Sequence, residues 1–178
     1  MAQILALVAA VVLVGFIAYV ASRPGELRVT RRATIAAPPD RIFAQLANLP
    51  GWRAWSPWEK KDPAMKRTFA GPESGVGAAY AWEGNKDVGS GRMEITQATP
   101  ASKVVIALHF LKPFEARNTA EFTLEPEGNG TRVTWEMSGP ANFLSKLMGV
   151  FMDMDRMIGK DFEEGLANLK ALCEQPGA

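Results

Sequence analysis

Residues 103–138 read KVVIALHFLKPFEARNTAEFTLEPEGNGTRVTWEMS, and their rhythm decides the fold. Three alternating runs, 103–111, 115–125 and 131–138, are separated by breaks rich in Pro, Asn and Gly. A period of two predicts strands with one buried face, and such breaks suit antiparallel hairpins. If Leu108 and Phe110 point inward, so do Val104 and Ile106. The same rule nominates Asn118, Ala120, Phe122 and Leu124 on the second run, and Val133, Trp135 and Met137 on the third. Asn118 is the polar member of this inward set and reads either as a partner for a carbonyl or hydroxyl of a ligand or as a satisfied polar core residue. Glu115, Arg117, Glu121, Glu136 and the single histidine, His109, fall on the opposite face, so His109 reads as a solvated sheet residue.

Upstream, further alternation at 28–37, 66–70, 77–83 and 91–98 adds strands, with Tyr80, Trp82, Met93 and Ile95 inward. Pro38-Pro39-Asp40 starts a short helix through Ile42, Phe43, Leu46 and Ala47, which Leu49-Pro50-Gly51 ends. Downstream, 142–174 reads as one long helix, because Leu147, Phe151, Met154, Ile158, Phe162, Leu166 and Leu169 recur every three or four residues. Most of Asp153, Asp155, Asp161, Glu163 and Glu164 fall off that stripe and read as a solvated face. Together these patterns predict an α+β domain in which a curved antiparallel sheet wraps around the terminal helix.

Residues 2–21, AQILALVAAVVLVGFIAYVA, contain no charge. At about 1.5 Å per residue they match a bilayer core of about 30 Å, and Ile, Leu, Val and Phe each favour mid-membrane placement by roughly 0.3–0.6 kcal/mol. A cleaved signal sequence is the rival reading. Against it, no Lys or Arg precedes the apolar run, and the small-x-small pattern near Val20-Ala21-Ser22 is poor. Arg23, Arg28, Arg31 and Arg32 follow the span, so the positive-inside bias predicts a single-pass membrane protein with its domain in the cytoplasm. The expected organisation is a transmembrane anchor at 1–22, a linker at 23–27, a domain at 28–174 and a tail at 175–178.

The formal net charge of +1 carries no long-range field to gather nucleic acid. The single cysteine, Cys173, excludes an intramolecular disulfide and a cysteine cage for a metal. No cofactor, metal or catalytic residue is predicted. The loop 84–91, GNKDVGSG, carries Ser90 where a phosphate loop needs Lys, and it joins two strands. Trp52, Trp55 and Trp58 are three of the five tryptophans. Too few cations flank them for stacking on nucleic acid, and at least two of them are expected to pack inward beside the short helices, where their indole N–H groups need partners.

The segments Ile35-Ala-Ala-Pro-Pro-Asp-Arg-Ile-Phe43, Trp55-Ser-Pro-Trp58, Gly75-Val-Gly-Ala-Ala-Tyr-Ala-Trp82, Gly130-Thr-Arg-Val-Thr-Trp135 and Ile158-Gly-Lys-Asp-Phe-Glu-Glu-Gly-Leu166 resemble the SRPBCC superfamily. Within it the chain is similar to the polyketide cyclase/dehydrase and lipid transport branch, over about residues 28–174. The resemblance implies a START-like helix-grip fold with a deep apolar cavity between sheet and terminal helix. The expected function is membrane-tethered binding of a hydrophobic small molecule or lipid. Trp55, Trp58, Tyr80, Trp82, Met93, Phe110, Asn118, Phe122, Trp135, Met148 and Met152 are the ligand-binding candidates, with entry between the short helices and a hairpin loop. A cyclase- or dehydratase-type enzyme and a chaperone-activator-like interaction module are the alternatives. The sequence supplies no inward acid-base pair for the first and marks no patch for a protein partner.

Overall fold

A computed structural model describes residues 1–175; positions 176–178 of the expected tail lie outside the described residues. The chain begins with α1 (Ala2–Ser22), followed by β1 (Glu26–Ile35), α2 (Pro39–Ala47), a 3-10 turn at Pro50–Ala54 and α3 (Pro57–Lys61). Six strands come next: β2 (Lys66–Ala70), β3 (Ala79–Glu83), β4 (Ser90–Thr99), β5 (Lys103–Lys112), β6 (Ala116–Glu127) and β7 (Gly130–Pro140). Helices α4 (Phe143–Phe151) and α5 (Met154–Cys173) close the fold. The strands form one antiparallel sheet in the order β1-β7-β6-β5-β4-β3-β2, and α5 grips its concave face beside β1. Because β1 starts at Glu26, two positions of the expected linker belong to the sheet.

Register places the inward set as alternation predicts. Phe122 lies opposite both Val104 and Trp135, and Ala120 lies opposite Ile106 and Met137. The β4–β5 pairing departs from strict alternation at two places, the first between Ser90 and Gly91. A bulge between Ile95 and Gln97 puts Ala98, not Gln97, on the row of Val104.

The terminal helix is two helices. Met152 is extended, with φ −131° and ψ 132°, and the Asp153 side chain accepts from Arg156 N–H to start α5 as an N-cap. Asn142 caps α4 in the same way through Ser145 N–H. Period alone overlooks such a break, because an apolar residue can keep its spacing across a capped kink. Phe162, Leu166 and Leu169 are buried as expected, whereas Phe151 is 74% exposed.

Stacked rings join α5 to the sheet. Trp135 and Phe162 lie 4.0 Å apart and 5° from parallel. Gly165 makes the approach possible, since a Cβ there would sit 2.8 Å from Trp135 Cζ3 and 3.2 Å from Pro57 Cδ. Charge adds a second tie. Arg31 shares its row with Trp135, lies over Gly159, and binds Asp155 (Nη2–Oδ2 2.9 Å) and Glu163 (Nε–Oε1 2.7 Å). Lys61 binds Asp161 at 2.6 Å, and Lys60 binds Glu164 at 3.4 Å. The acidic residues of α5 therefore clamp the helix to β1 and α3 rather than forming a purely solvated face. The Arg31 hydrogen bond holds Asp155 below the ordinary carboxylate range. This link is present at neutral pH and is lost as the pH falls through that depressed value.

Gly165→Val should lower stability by about 1–3 kcal/mol, by forcing the helix away from Trp135. Thermal unfolding of the full chain in detergent reads the loss, and an unchanged midpoint would contradict the close approach.

Candidate functional site

The aromatic residues near the middle of the sheet are packed solid. Trp52, Trp55, Phe122, Trp135 and Phe162 form a continuous set of ring contacts, including Trp52–Trp55 at 4.7 Å and Phe122–Trp135 at 4.7 Å. Trp52 N–H donates to Leu46 O at 3.1 Å. The indole N–H of Trp55, expected to be partnered, and that of Trp135 find no acceptor among the described residues. Burial of these rings has to offset that cost.

Beside this plug the sheet and helices separate to leave a cavity of about 1000 Å³. Trp58, Tyr80, Trp82, Met93, Phe110, Asn118, Trp135, Met148 and Met152 all contribute to its wall. Trp55 and Phe122 do not. They are almost fully buried behind it, where they hold the wall rather than form it. The inner end is made by Trp52, Ser56, Met65 and Ile106, and the other end by turns at 86–89 and 112–116 together with α4 and Arg23 to Glu26. The hairpin turns named in the expected entry line the cavity together with α4, and so do Ser56, Trp58 and Glu59 at the short helices after β1.

Two polar stations mark the sheet side of the wall, apart from the polar residues such as Arg28, Ser56 and Asp161 that line it elsewhere. Asn118 lies opposite Leu108, Leu108 opposite Met93, and Met93 opposite Tyr80, so one transverse row crosses four strands. At roughly 4.8 Å per strand the ends of that row are about 14 Å apart along the sheet. At one end Asn118 Nδ2 has, among the described residues, only Met137 Sδ, at 3.8 Å, as a partner. Gly139 makes room for this side chain, because a Cβ there would meet Asn118 Oδ1 at 2.0 Å.

At the other end lies a buried ion pair that sequence reasoning missed. Arg67 grips Glu59, with Nε donating to Oε2 at 2.9 Å and to Oε1 at 3.2 Å, and the two side chains are only 12% and 11% exposed. Tyr80 O–H reaches Glu59 Oε1 at 3.4 Å. Burial, reinforced by the Glu59 charge, pushes the Tyr80 phenol above its ordinary value and keeps it a neutral donor. Alternation in β2 did carry a signal, since Arg67 shares a face with Phe69 and sits opposite inward Trp82. Only the tertiary fold brings Glu59 to it. His109 lies on the convex face as expected, yet its side chain is 14% exposed and its Nε2 is 2.8 Å from Glu115 Oε1. The neighbouring carboxylate and the cover over the ring thus replace the solvation expected for it.

The sequence profile for polyketide cyclase / dehydrase and lipid transport matches residues 26–174. The chain belongs to this family. Similar solved structures include the Aha1 dimer from Colwellia psychrerythraea, at 19% identity and TM-score 0.59, covering 85% of this chain and 99% of that one. Ara h 8.0201 is 12% identical with TM-score 0.58, covering 84% of this chain and 98% of its own. The major latex-like protein 151 from Panax ginseng is 12% identical with TM-score 0.58, over 85% and 100% of the two chains. These likenesses establish the helix-grip fold. No curated protein matches the sequence.

Because burial disfavours the Tyr80 phenolate, its contribution to stability is constant below the ordinary tyrosine value of about 10 and falls as the pH rises beyond it. Tyr80→Phe should therefore leave the tyrosinate absorbance of the folded protein at about pH 11 unchanged, one unit above that value. A loss of absorbance in the variant would show that Tyr80 ionises normally.

Proposed function

We propose that this family member binds an elongated hydrophobic molecule, or a lipid, inside the cavity while α1 keeps the domain at a membrane. The observation that carries the reading is the cavity-lining row from Asn118 to Tyr80, with hydrogen-bonding groups at both ends and no other polar side chain along it. Apolar contact supplies affinity in such a site, and a few placed polar groups supply orientation. A neutral carbonyl or hydroxyl suits Asn118 and the Tyr80 O–H. A free carboxylate suits the Tyr80 end poorly, because Glu59 already occupies it.

Membrane tethering draws on α1, a helix of 21 residues, long and apolar enough to cross a bilayer. Three residues separate Ser22 from Glu26, so the domain stays within about 10–15 Å of the helix end. The cytoplasmic orientation draws on the arginines after the span. Salt bridges at Arg28 and Arg31 leave that argument intact, since the bias follows Lys and Arg rather than net charge.

A second reading, an enzyme of cyclase or dehydratase type, draws on Tyr80 as a neutral donor to a substrate carbonyl. Conversion of an offered polyketide-like substrate would favour it.

Native mass spectrometry of the full chain in mild detergent tests binding. The expected result is a reproducible lipidic adduct that Trp82→Ala with Met148→Ala diminishes, while the double variant stays folded. Phe122→Ala, behind the wall, should instead cost about 3–5 kcal/mol of stability. A protein that remains empty when offered membrane extracts would reject the carrier reading.

A further inference from the structure

Helix α4 is mostly apolar, with Ser145, Lys146 and Gly149 on its one polar side. Its sequence is FLSKLMGVF, with Lys146 as the one charge, and none of its residues is fully buried in the described chain. Such a helix needs an apolar surrounding that the domain does not provide. Leu144, Met148 and Met152 line the cavity; Phe151 lies at its margin and is 74% exposed, and Phe143, outside the lining, is 49% exposed.

The contacts of α4 with α1 set its depth. Phe16 and Phe151 rings lie 6.4 Å apart. Phe16 precedes the domain end of α1 by six positions, about 9 Å along the axis, and a helix of 21 residues, about 32 Å, barely exceeds a bilayer core of about 30 Å. If α1 spans, Phe16 is within the acyl layer, and so is its neighbour Phe151. Near the end of α1, Lys146 Nζ binds Ala21 O at 3.1 Å and Arg23 Nη2 binds Gly149 O at 3.0 Å, a level at which headgroups accommodate charge.

Topology gives the same direction. Glu26 pairs with Pro140, so the start of β1 and the end of β7 share one end of the sheet, together with the β3–β4 and β5–β6 turns. That end carries the cavity-lining turns at 86–89 and 112–116 and the attachment of α1. The opposite end carries the β6–β7 turn and the C-terminus of α5, whose Glu174 accepts from Ala36 N–H at 2.7 Å.

We propose that α4 is a second membrane-contacting element, seated in the bilayer interface with Phe143 and Phe151 in the acyl layer, and that it stands between those acyl chains and the cavity. This rests on the reading of α1 as a span and deepens the proposed function. The ligand is then drawn from the adjoining leaflet past α4 and need not cross water.

The test uses the full chain in phosphatidylcholine vesicles, with single-cysteine reporters carrying the fluorophore NBD. Phe151→Cys and Phe143→Cys report on α4, Leu13→Cys on α1, and Asn129→Cys on the distal β6–β7 turn. Unsubstituted chain labelled in parallel measures the background from buried Cys173. Expected is quenching of 143, 151 and 13 by doxyl-labelled lipid, and iodide quenching at 151 roughly fivefold below that at 129, as insertion by about 5–10 Å implies. Iodide quenching at 143 and 151 equal to that at 129, with 13 still quenched by lipid, overturns the proposal and leaves the span standing. Absence of lipid quenching at 13 as well overturns both. Protection of 143 and 151 from iodide without lipid quenching also overturns it, and identifies a second copy of the chain as the cover.

Discussion

The stacked contact between Trp135 and Phe162 is the constraint from which the rest of the architecture follows. It sets the distance between α5 and the sheet, and a glycine on the helix is what permits that distance. Around the stack, Trp52, Trp55 and Phe122 fill one half of the concave face with rings in tilted and edge-on contact. Packing at crystal-like density leaves that half no space. The other half stays open because the helix is interrupted at Met152 and α4 turns aside toward α1. Cavity and core are thus two parts of one packing solution.

Electrostatics secures the arrangement without making it. The ion pairs between α5 and its neighbours involve mostly exposed carboxylates, such as Asp155 and Glu163, and pairs of this kind contribute about 0–1 kcal/mol each. Their value lies in register. Arg31 occupies an inward position at the edge strand and marks where along the helix β1 must dock. The Glu59–Arg67 pair is different in kind, because both partners are largely buried and a missing partner would leave a charge without solvent. Its location against the cavity end makes it a polar landmark on the sheet side of the wall.

The cavity-lining turns at 86–89 and 112–116, the start of β1 and the attachment of α1 lie together because the hairpins of an antiparallel sheet alternate between its two ends. An odd or even number of strands decides which turns share an end, and here the β3–β4 and β5–β6 turns flank α4. The membrane reading and the ligand reading therefore concern the same side of the molecule, although their residues are scattered from Arg23 to Met152.

Alternation and helical periodicity were sufficient to read seven strands, the inward face and the apolar N-terminal helix, because each depends on neighbours a few positions apart. The family resemblance supplied the cavity as an expectation. Residue type alone could not separate Trp55 and Phe122, which support the wall, from Trp82 and Phe110, which form it, since all four are large, apolar and inward. The break at Met152, the bulge after Ile95 and the pairing of Glu59 with Arg67 were decided by tertiary structure. Each depends on groups distant in sequence or on a cap that leaves the hydrophobic period unchanged, so local pattern carries no force that could specify them.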